Sequence, residues 1–278
     1  MTHLLKSPRV ARAAIFAMLC VIGASTVYPV AFMALNALRS EQAYQLNPYG
    51  LPSSLRLSNF STLFSEYPFV ASLLHSLIVV VPADVMATLF SALAGFVFAK
   101  TPFRLSNILF YALLGVMLMP GAVLIIPLYI LVVHVGMANS FVPAIFVYAA
   151  INIPFGMYLF RAHFRAIPDA LVEAARVDGA SWLRVFWRVV LPVGRAAVTV
   201  VGLLTFLNVW NELFISIVLL HSANNQMVTP TVTEIAGRYI TDTPVLMAGL
   251  LLAALPELLL YAVTARVFVR GLISGSLR

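Results

Sequence analysis

The sequence predicts an all-α membrane protein of about six transmembrane helices with both termini cytoplasmic, and three observations predict it. Hydrophobic residues fill 62% of the 278 positions and charged residues only 10%. A water-soluble chain is usually near a quarter charged, so this one lacks the polar surface to face water all round. Six apolar segments lie at roughly 13–36, 70–98, 106–133, 141–160, 196–220 and 244–266, each long enough for a span of about 20 residues. The basic residues fall on alternate sides of these segments, as the positive-inside rule requires.

The first segment follows Lys6, Arg9 and Arg12, a charged start that also suits a cleaved signal. Residues 13–38 carry no charge, however, and that run exceeds a signal peptide's 7–15-residue core, so a retained span is expected. Residues 39–69 are polar, with Pro48, Gly50 and Pro52, and read as an ordered outer loop. From Leu105 to Phe160 there is no Asp, Glu, Lys or Arg. That stretch is too long for one span, and Gly136, Asn139 and Ser140 supply the turn that divides it. Prolines 29, 82, 120, 127, 143, 154 and 256 fall in or beside spans, where neighbouring helices satisfy the freed backbone groups. Residues 221–243, with Pro230, Glu234 and Arg238, suit a short helix on the outer face. The whole chain reads as a single transmembrane domain, 1–278.

With the N-terminus inside, fourteen of the seventeen basic residues lie in cytoplasmic pieces, and only Arg39, Arg56 and Arg238 lie outside. The formal charge of +7 therefore reflects topology. The basic residues form no stripe interleaved with aromatics, so nucleic acid is not an expected partner, whereas membrane lipid is. Cys20 is the only cysteine, which excludes an intramolecular disulfide and a zinc cluster.

The connection at 161–195 carries its own helix signals. Pro168 suits a first helical position and Asp169 the positive helix start. Leu171, Ala174, Ala175 and Asp178 follow at helical steps, and Gly179 suits a left-handed stop. Ser181 can cap a second helix with Trp182, Val185, Phe186 and Val189 on one face, ended by Pro192. Ala174, Ala175 and Ala180 are small enough for another protein's surface to approach, and Glu173 and Asp178 offer charge. An amphipathic hairpin lying on the membrane is the other reading.

The string Glu173-Ala174-Ala175-Arg176-Val177-Asp178-Gly179-Ala180, with Leu191-Pro192 beyond it, resembles the EAA loop of binding-protein-dependent ABC transporter permeases. Trp210-Asn211-Glu212, Met119-Pro120-Gly121 with Ile126-Pro127-Leu128-Tyr129, and the tail Val269–Gly275 are similar to the carbohydrate-uptake branch that includes the maltose-type inner-membrane permeases. His75-Ser76 departs from that branch's usual Asn-Ser, and the tail lacks its final lysine and glycine. The resemblance implies a second permease subunit in a heterodimer, two cytosolic ATPase subunits that use the ATP, and an external solute-binding protein. This chain itself is expected to bind no cofactor. Glu173, Ala174, Ala175, Asp178, Gly179 and Ala180 would lie on the loop that couples to an ATPase. A sugar is the implied solute, with another polar solute such as glycerol phosphate or a polyol as the alternative.

Asp84, Glu212 and Glu257 lie inside apolar segments. An ionisable group there is costly and faces the bundle interior or a wet cavity. With Asn208, Trp210 and Asn211 they are candidates to line a translocation path, since amides and carboxylates bond hydroxyls and an indole stacks on a sugar ring. Pairing between helices, or a place near the outer interface, is the plainer reading, preferred at Asp84 and Glu257 and left level at Glu212. No phosphate-binding loop is present: Gly95 to Thr101 reads GFVFAKT and lacks the second glycine, so the chain is not expected to hydrolyse ATP. HExxH, CxxC and GxSxG are also missing, and the five histidines show no ligand spacing. A secondary transporter would carry internal repeats or ion sites, and none stands out.

Overall fold

The computed structural model describes residues 8–52, 54–101, 103–119, 121–237 and 242–276, and only the backbone of 8–10, 122 and 266–276. Lys6, Pro120, Arg238 and Arg278 lie outside the described residues, as do the side chains of Arg9, Arg266 and the Val269–Gly275 tail. Among the described residues there are helices and no strands. They are α1 (Pro8–Ala37), α2 (Glu41–Leu46), α3 (Ser58–Glu66), α4 (Phe69–Lys100), α5 (Ser106–Gly115), α6 (Gly121–His134) and α7 (Phe141–Arg165). Then come α8 (Asp169–Val177), α9 (Trp182–Val185), α10 (Leu191–Val193), α11 (Arg195–Trp210), α12 (Phe214–Leu219), α13 (Val228–Gly237) and α14 (Thr243–Ser276). Four stretches are each long and apolar enough to cross a membrane: Ala11–Ala37, Phe69–Lys100, Phe141–Arg165 and Thr243–Ala265. Two sharply bent helix pairs bring the number to as many as six.

Two expected spans are broken. The segment expected as one helix over 106–133 runs through α5 into a tight 3-10 turn at Val116–Leu118, then restarts as α6 after a bend of 98°. Met119 is extended there, with φ −80° and ψ 122°. Proline follows it in the sequence, and the residue before proline is driven out of the helical region. The segment expected at 196–220 is likewise two helices, α11 and α12, parted at Asn211–Leu213. The span expected at 141–160 instead runs on to Arg165, because nothing after Phe160 stops it: Ala162, His163 and Phe164 continue the helix. Pro192 does not end the hairpin's second leg. The leg widens into a π turn at Phe186–Val190, passes through Pro192 near the start of α10, and bends by 82° at Gly194. A Cβ on Gly194 would lie 2.6 Å from the Phe164 ring, so the bend closes only around a glycine.

The described residues form two compact units. The smaller joins residues up to Phe69 with Val232–Ala254. In it the polar segment after α1 folds into α2 and α3 and is pinned by buried Asn59, which donates to the carbonyls of Ala37 and Arg39 at 2.7 and 2.8 Å. Ser40 caps α2. None of the apolar window of α1 is buried against the rest of the chain.

The larger unit holds Val70–Thr231 and the chain from Leu255 onward. Its helices α4 and α7 approach closely because the contact residues are small. A Cβ on Gly156 would meet Ser91 Oγ at 2.5 Å, and one on Gly95 would meet Phe160 Cβ at 2.5 Å. Ser91 Oγ donates to the Ile153 carbonyl at 3.0 Å across this contact. Small residues that admit backbone contact and interhelical hydrogen bonds are what hold helices together in lipid, where apolar burial gives little. The turn between α6 and α7 forms as its chemistry requires: Gly136 and Asn139 take φ values of 70° and 58°, and Ser140 caps α7. Within the segment expected to hold a short helix, α13 forms at Val228–Gly237, with Val228, Thr231 and Ile235 buried on one face and Thr233, Glu234 and Ala236 exposed on the other.

Candidate functional site

The hairpin of α8 and α9 forms from local stereochemistry. Pro168 is the N-cap and not the first helical residue, and Asp169 begins α8. Gly179 holds φ at +79°, a conformation costly for any residue with a Cβ, and it turns the chain back. Ser181 Oγ then accepts from the Arg184 N–H at 3.3 Å, capping α9. Arg176 closes the turn: its guanidinium donates to the Ala180 carbonyl at 2.7 Å and lies over the Trp182 ring.

One face of the hairpin is buried. Val172, Val185, Phe186 and Val190 pack with Phe96 of α4 and Phe160 and Phe164 of α7 in one apolar core. Ala175 and Ala180 lie at its margin. The opposite face is bare: Glu173, Ala174, Asp178 and Gly179 are exposed, and so is Val177, at 86%. The expected residues thus fall into two roles, with Ala175 and Ala180 facing inward and the other four outward. Val177 was missed, and an apolar residue between Glu173 and Gly179 was its signal. The first leg also meets α4, where Lys100 Nζ donates to the Ile167 carbonyl at 2.6 Å and to Asp169 Oδ1 at 2.5 Å. A cavity of about 650 Å3 lies beside this contact, lined among others by Lys100, Asn107, Arg165 and Glu173.

The candidate path residues divide similarly. Asn208 is exposed and opens on a cavity of about 430 Å3 lined also by Met117, Met119, Asn152, Phe155 and Leu204. Asn152, its neighbour there, was missed; its amide donates to the Tyr148 carbonyl at 2.8 Å. Asp84 lines a separate groove of about 320 Å3 with Thr88 and Gly202, and accepts from Thr88 Oγ1 at 3.2 Å.

Trp210 is only 2% exposed and stacks on Phe206 at 5.4 Å, so its ring faces are occupied by the chain itself. Asn211 donates to Glu257 Oε1 at 2.5 Å, joining the break in span five to α14. Glu212 works on the other side of that break. Its carboxylate accepts from the N–H groups of Phe214, Ile215 and Ser216 at 2.9 to 3.3 Å, and from Tyr148 Oη at 2.9 Å. It therefore caps α12 and satisfies backbone groups that the break would leave unpaired. Asp84, Glu212 and Glu257 each have a partner within the chain. Among the described residues no three His, Cys, Asp or Glu gather in a way that could hold a metal.

Broken apolar spans, a largely apolar cavity that Asn152 and Asn208 also line, and a hairpin with one packed and one bare face suit a membrane transport component. The family of binding-protein-dependent transport system inner membrane components matches residues 87–273. The chain belongs to that family, one of transport components: it is a permease subunit of an ABC importer. It is 27% identical over 254 residues to the diacetylchitobiose uptake system permease protein NgcG of Streptomyces coelicolor, covering 91% of this chain and 84% of that one. It is 30% identical over 223 residues to the osmoprotective compounds uptake permease protein GgtD of Synechocystis, covering 80% and 75%. Its fold matches a chain in the crystal structure of a bacterial ABC transporter that imports the acidic polysaccharide alginate. The TM-score is 0.78 at 20% identity, over 94% of this chain and 97% of the other.

Proposed function

We propose that this chain, acting as one transmembrane permease domain, moves a sugar or sugar-like solute across the cytoplasmic membrane with energy from separate ATPase subunits. Both termini and the α8–α9 hairpin face the cytosol, as the distribution of basic residues favours. The observation that carries the reading is the bare outer face of a hairpin whose inner face is locked into the membrane bundle. Glu173, Ala174, Val177, Asp178 and Gly179 enter a cleft of a cytosolic ATPase. Closure of two such subunits around ATP pushes the hairpin, and α7 and α11, continuous with it in the chain, carry the push into the bundle. A second, different permease subunit completes the path, and an external binding protein delivers the solute.

Within this chain Asn208 and Asn152 are the groups that meet the solute. Their amides suit hydroxyls, and Met117 and Phe155 supply apolar wall. Asp84, Trp210, Asn211, Glu212 and Glu257 shape the path from behind, through the partners they already hold.

The test uses ATP-driven uptake into membrane vesicles carrying the whole transporter. Glu173→Lys reverses the charge of the bare face, and Gly179→Val forces a β-branched residue to a positive φ, costing about 1–2 kcal/mol. Both abolish uptake while the permease stays in the membrane. Unchanged uptake would refute the coupling assignment, and solute movement with no ATPase present would refute the class. Sugar as substrate is favoured by the likeness to NgcG, another polar solute by the likeness to GgtD. Titrating the external binding protein with oligosaccharides and with polyols decides between them.

A further inference from the structure

We propose that Lys100 makes α4 a third moving part of the transporter, by fastening the end of that helix to the hairpin's first leg. This rests on the assignment of the hairpin as the element the ATPase pushes. Helices α7 and α11 follow the hairpin because the chain is continuous. Helix α4 has no such link, since α8 begins 69 residues after its last residue. What joins them is contact, made through the core that Ala92 and Phe96 share with the hairpin and through Lys100 at the helix end.

Phe96 packs on the second leg, at 5.5 Å from Phe186 and 6.2 Å from Trp182. Lys100 holds the first leg. Its side chain is 3% exposed, and its ammonium touches both the Ile167 carbonyl, in the turn entering α8, and the carboxylate of Asp169, the first residue of α8. The ion pair alone would be a weak clamp, because Asp169 is 76% exposed and water screens it. The bond to Ile167 changes this. Ile167 is buried in the hairpin core, and the ammonium lies within 2.6 Å of two groups on either side of Pro168. Two attachments fix a direction as well as a distance. When the hairpin moves, the end of α4 moves with it, and the groove that Asp84, Val85 and Thr88 line changes shape. Lys100 is a positioning residue: it touches no solute and acts through α4.

The experiment uses the complete transporter in nanodiscs, with Cys20 replaced by serine. Single cysteines stand at Val85 on α4 or at Leu204 on α11, both exposed positions. Maleimide labelling rates are compared between the nucleotide-free and the ATP–vanadate-trapped states. With Lys100 in place, trapping changes the rate at both positions. With Lys100→Met the change at Val85 is lost and the change at Leu204 persists, and Lys100→Arg restores the response at Val85. A response at Val85 that survives Lys100→Met overturns the proposal, because Phe96 packing then suffices. Loss at both positions together also overturns it, because Lys100 then supports the hairpin as a whole. If neither position responds with Lys100 present, although ATP is hydrolysed, the coupling assignment itself fails. Should Lys100→Met not assemble, Lys100→Gln, which shortens the side chain and removes its charge, carries the test. A weakened response at Val85 beside a full one at Leu204 supports the strut, and full responses at both refute it.

Discussion

Replacing Gly95 by alanine is a test of how α4 and α7 are held together. The added Cβ would lie 2.5 Å from Phe160 Cβ, 3.0 Å from the Arg161 backbone nitrogen and 3.2 Å from the Met157 carbonyl oxygen. None of these atoms is the loose end of a side chain, so relief requires the helices to part. Contacts below 3.4 Å are already tight, so the helices must separate by about 1 Å. That movement breaks the weakest bond nearby, from Arg161 Nε to the Phe98 carbonyl, which is 3.3 Å long before any change. Overpacking costs about 1–3 kcal/mol, and the upper end applies when backbone is struck. Alanine regains up to about 1 kcal/mol of helix propensity. The expected net loss is about 2 kcal/mol, which lowers the melting temperature by about 4–8 °C. Thermal unfolding of the purified permease in detergent, followed by tryptophan fluorescence, measures this. Gly23→Ala is the control, because a Cβ there meets nothing within 4 Å, and it leaves the melting temperature equal or higher. A Gly95→Ala protein that melts with the wild type, or above it, would refute the idea that close approach sets the spacing of these helices.

Glu212→Ala leaves three N–H groups and Tyr148 without their acceptor and lowers stability by about 1–2 kcal/mol in the same assay. Glu212→Gln keeps one acceptor oxygen and costs less, and Tyr148→Phe costs about 1 kcal/mol. Arg161→Met keeps the apolar stem but removes the guanidinium that lies 3.7 Å from the Phe110 ring centroid and donates to Asn107 Oδ1 at 2.8 Å. A loss of about 2 kcal/mol is expected, and Asn107→Ala then adds less to Arg161→Met than it costs alone. Asn152→Ala and Asn208→Ala leave the stability within about 1 kcal/mol of wild type and raise the KM of uptake. An unchanged KM in both would remove them from the path.

What the sequence makes legible is whatever neighbouring residues decide among themselves. Gly136, Asn139 and Ser140 place a turn, and Gly179 and Ser181 place a hairpin, because each depends on one residue's own dihedral preference or one short-range bond. The apolar runs locate the spans because lipid leaves the backbone no other structure. The breaks at Met119 and at Asn211–Leu213 are not readable in this way. Proline within a span is compatible with a kink or a full interruption, and which one occurs depends on the helices around it. The same holds for Glu212. A carboxylate in an apolar run looks alike whether it faces a solute or caps a helix end, and only the fold brings Tyr148 beside it. Lys100 meets Asp169 across 69 residues, a separation at which sequence spacing carries no information. Trp210 is the sharpest instance, since the motif that helps identify the family contains a ring that Phe206 covers.

The widened turn at Phe186–Val190 has a consequence for how this hairpin tolerates change in length. A π turn accommodates one residue more than an α turn of the same height. That surplus lets Val185 and Val190, five apart, face a common core, although an α-helix would set them far round from each other. Deleting one residue here would restore an ordinary helix and preserve every hydrophobic segment. Because the wide turn absorbs the surplus residue, its removal would leave α11, and Asn208 with it, close to its present register. The hairpin can thus lose one residue at this turn while the cavity that Asn208 lines keeps its wall.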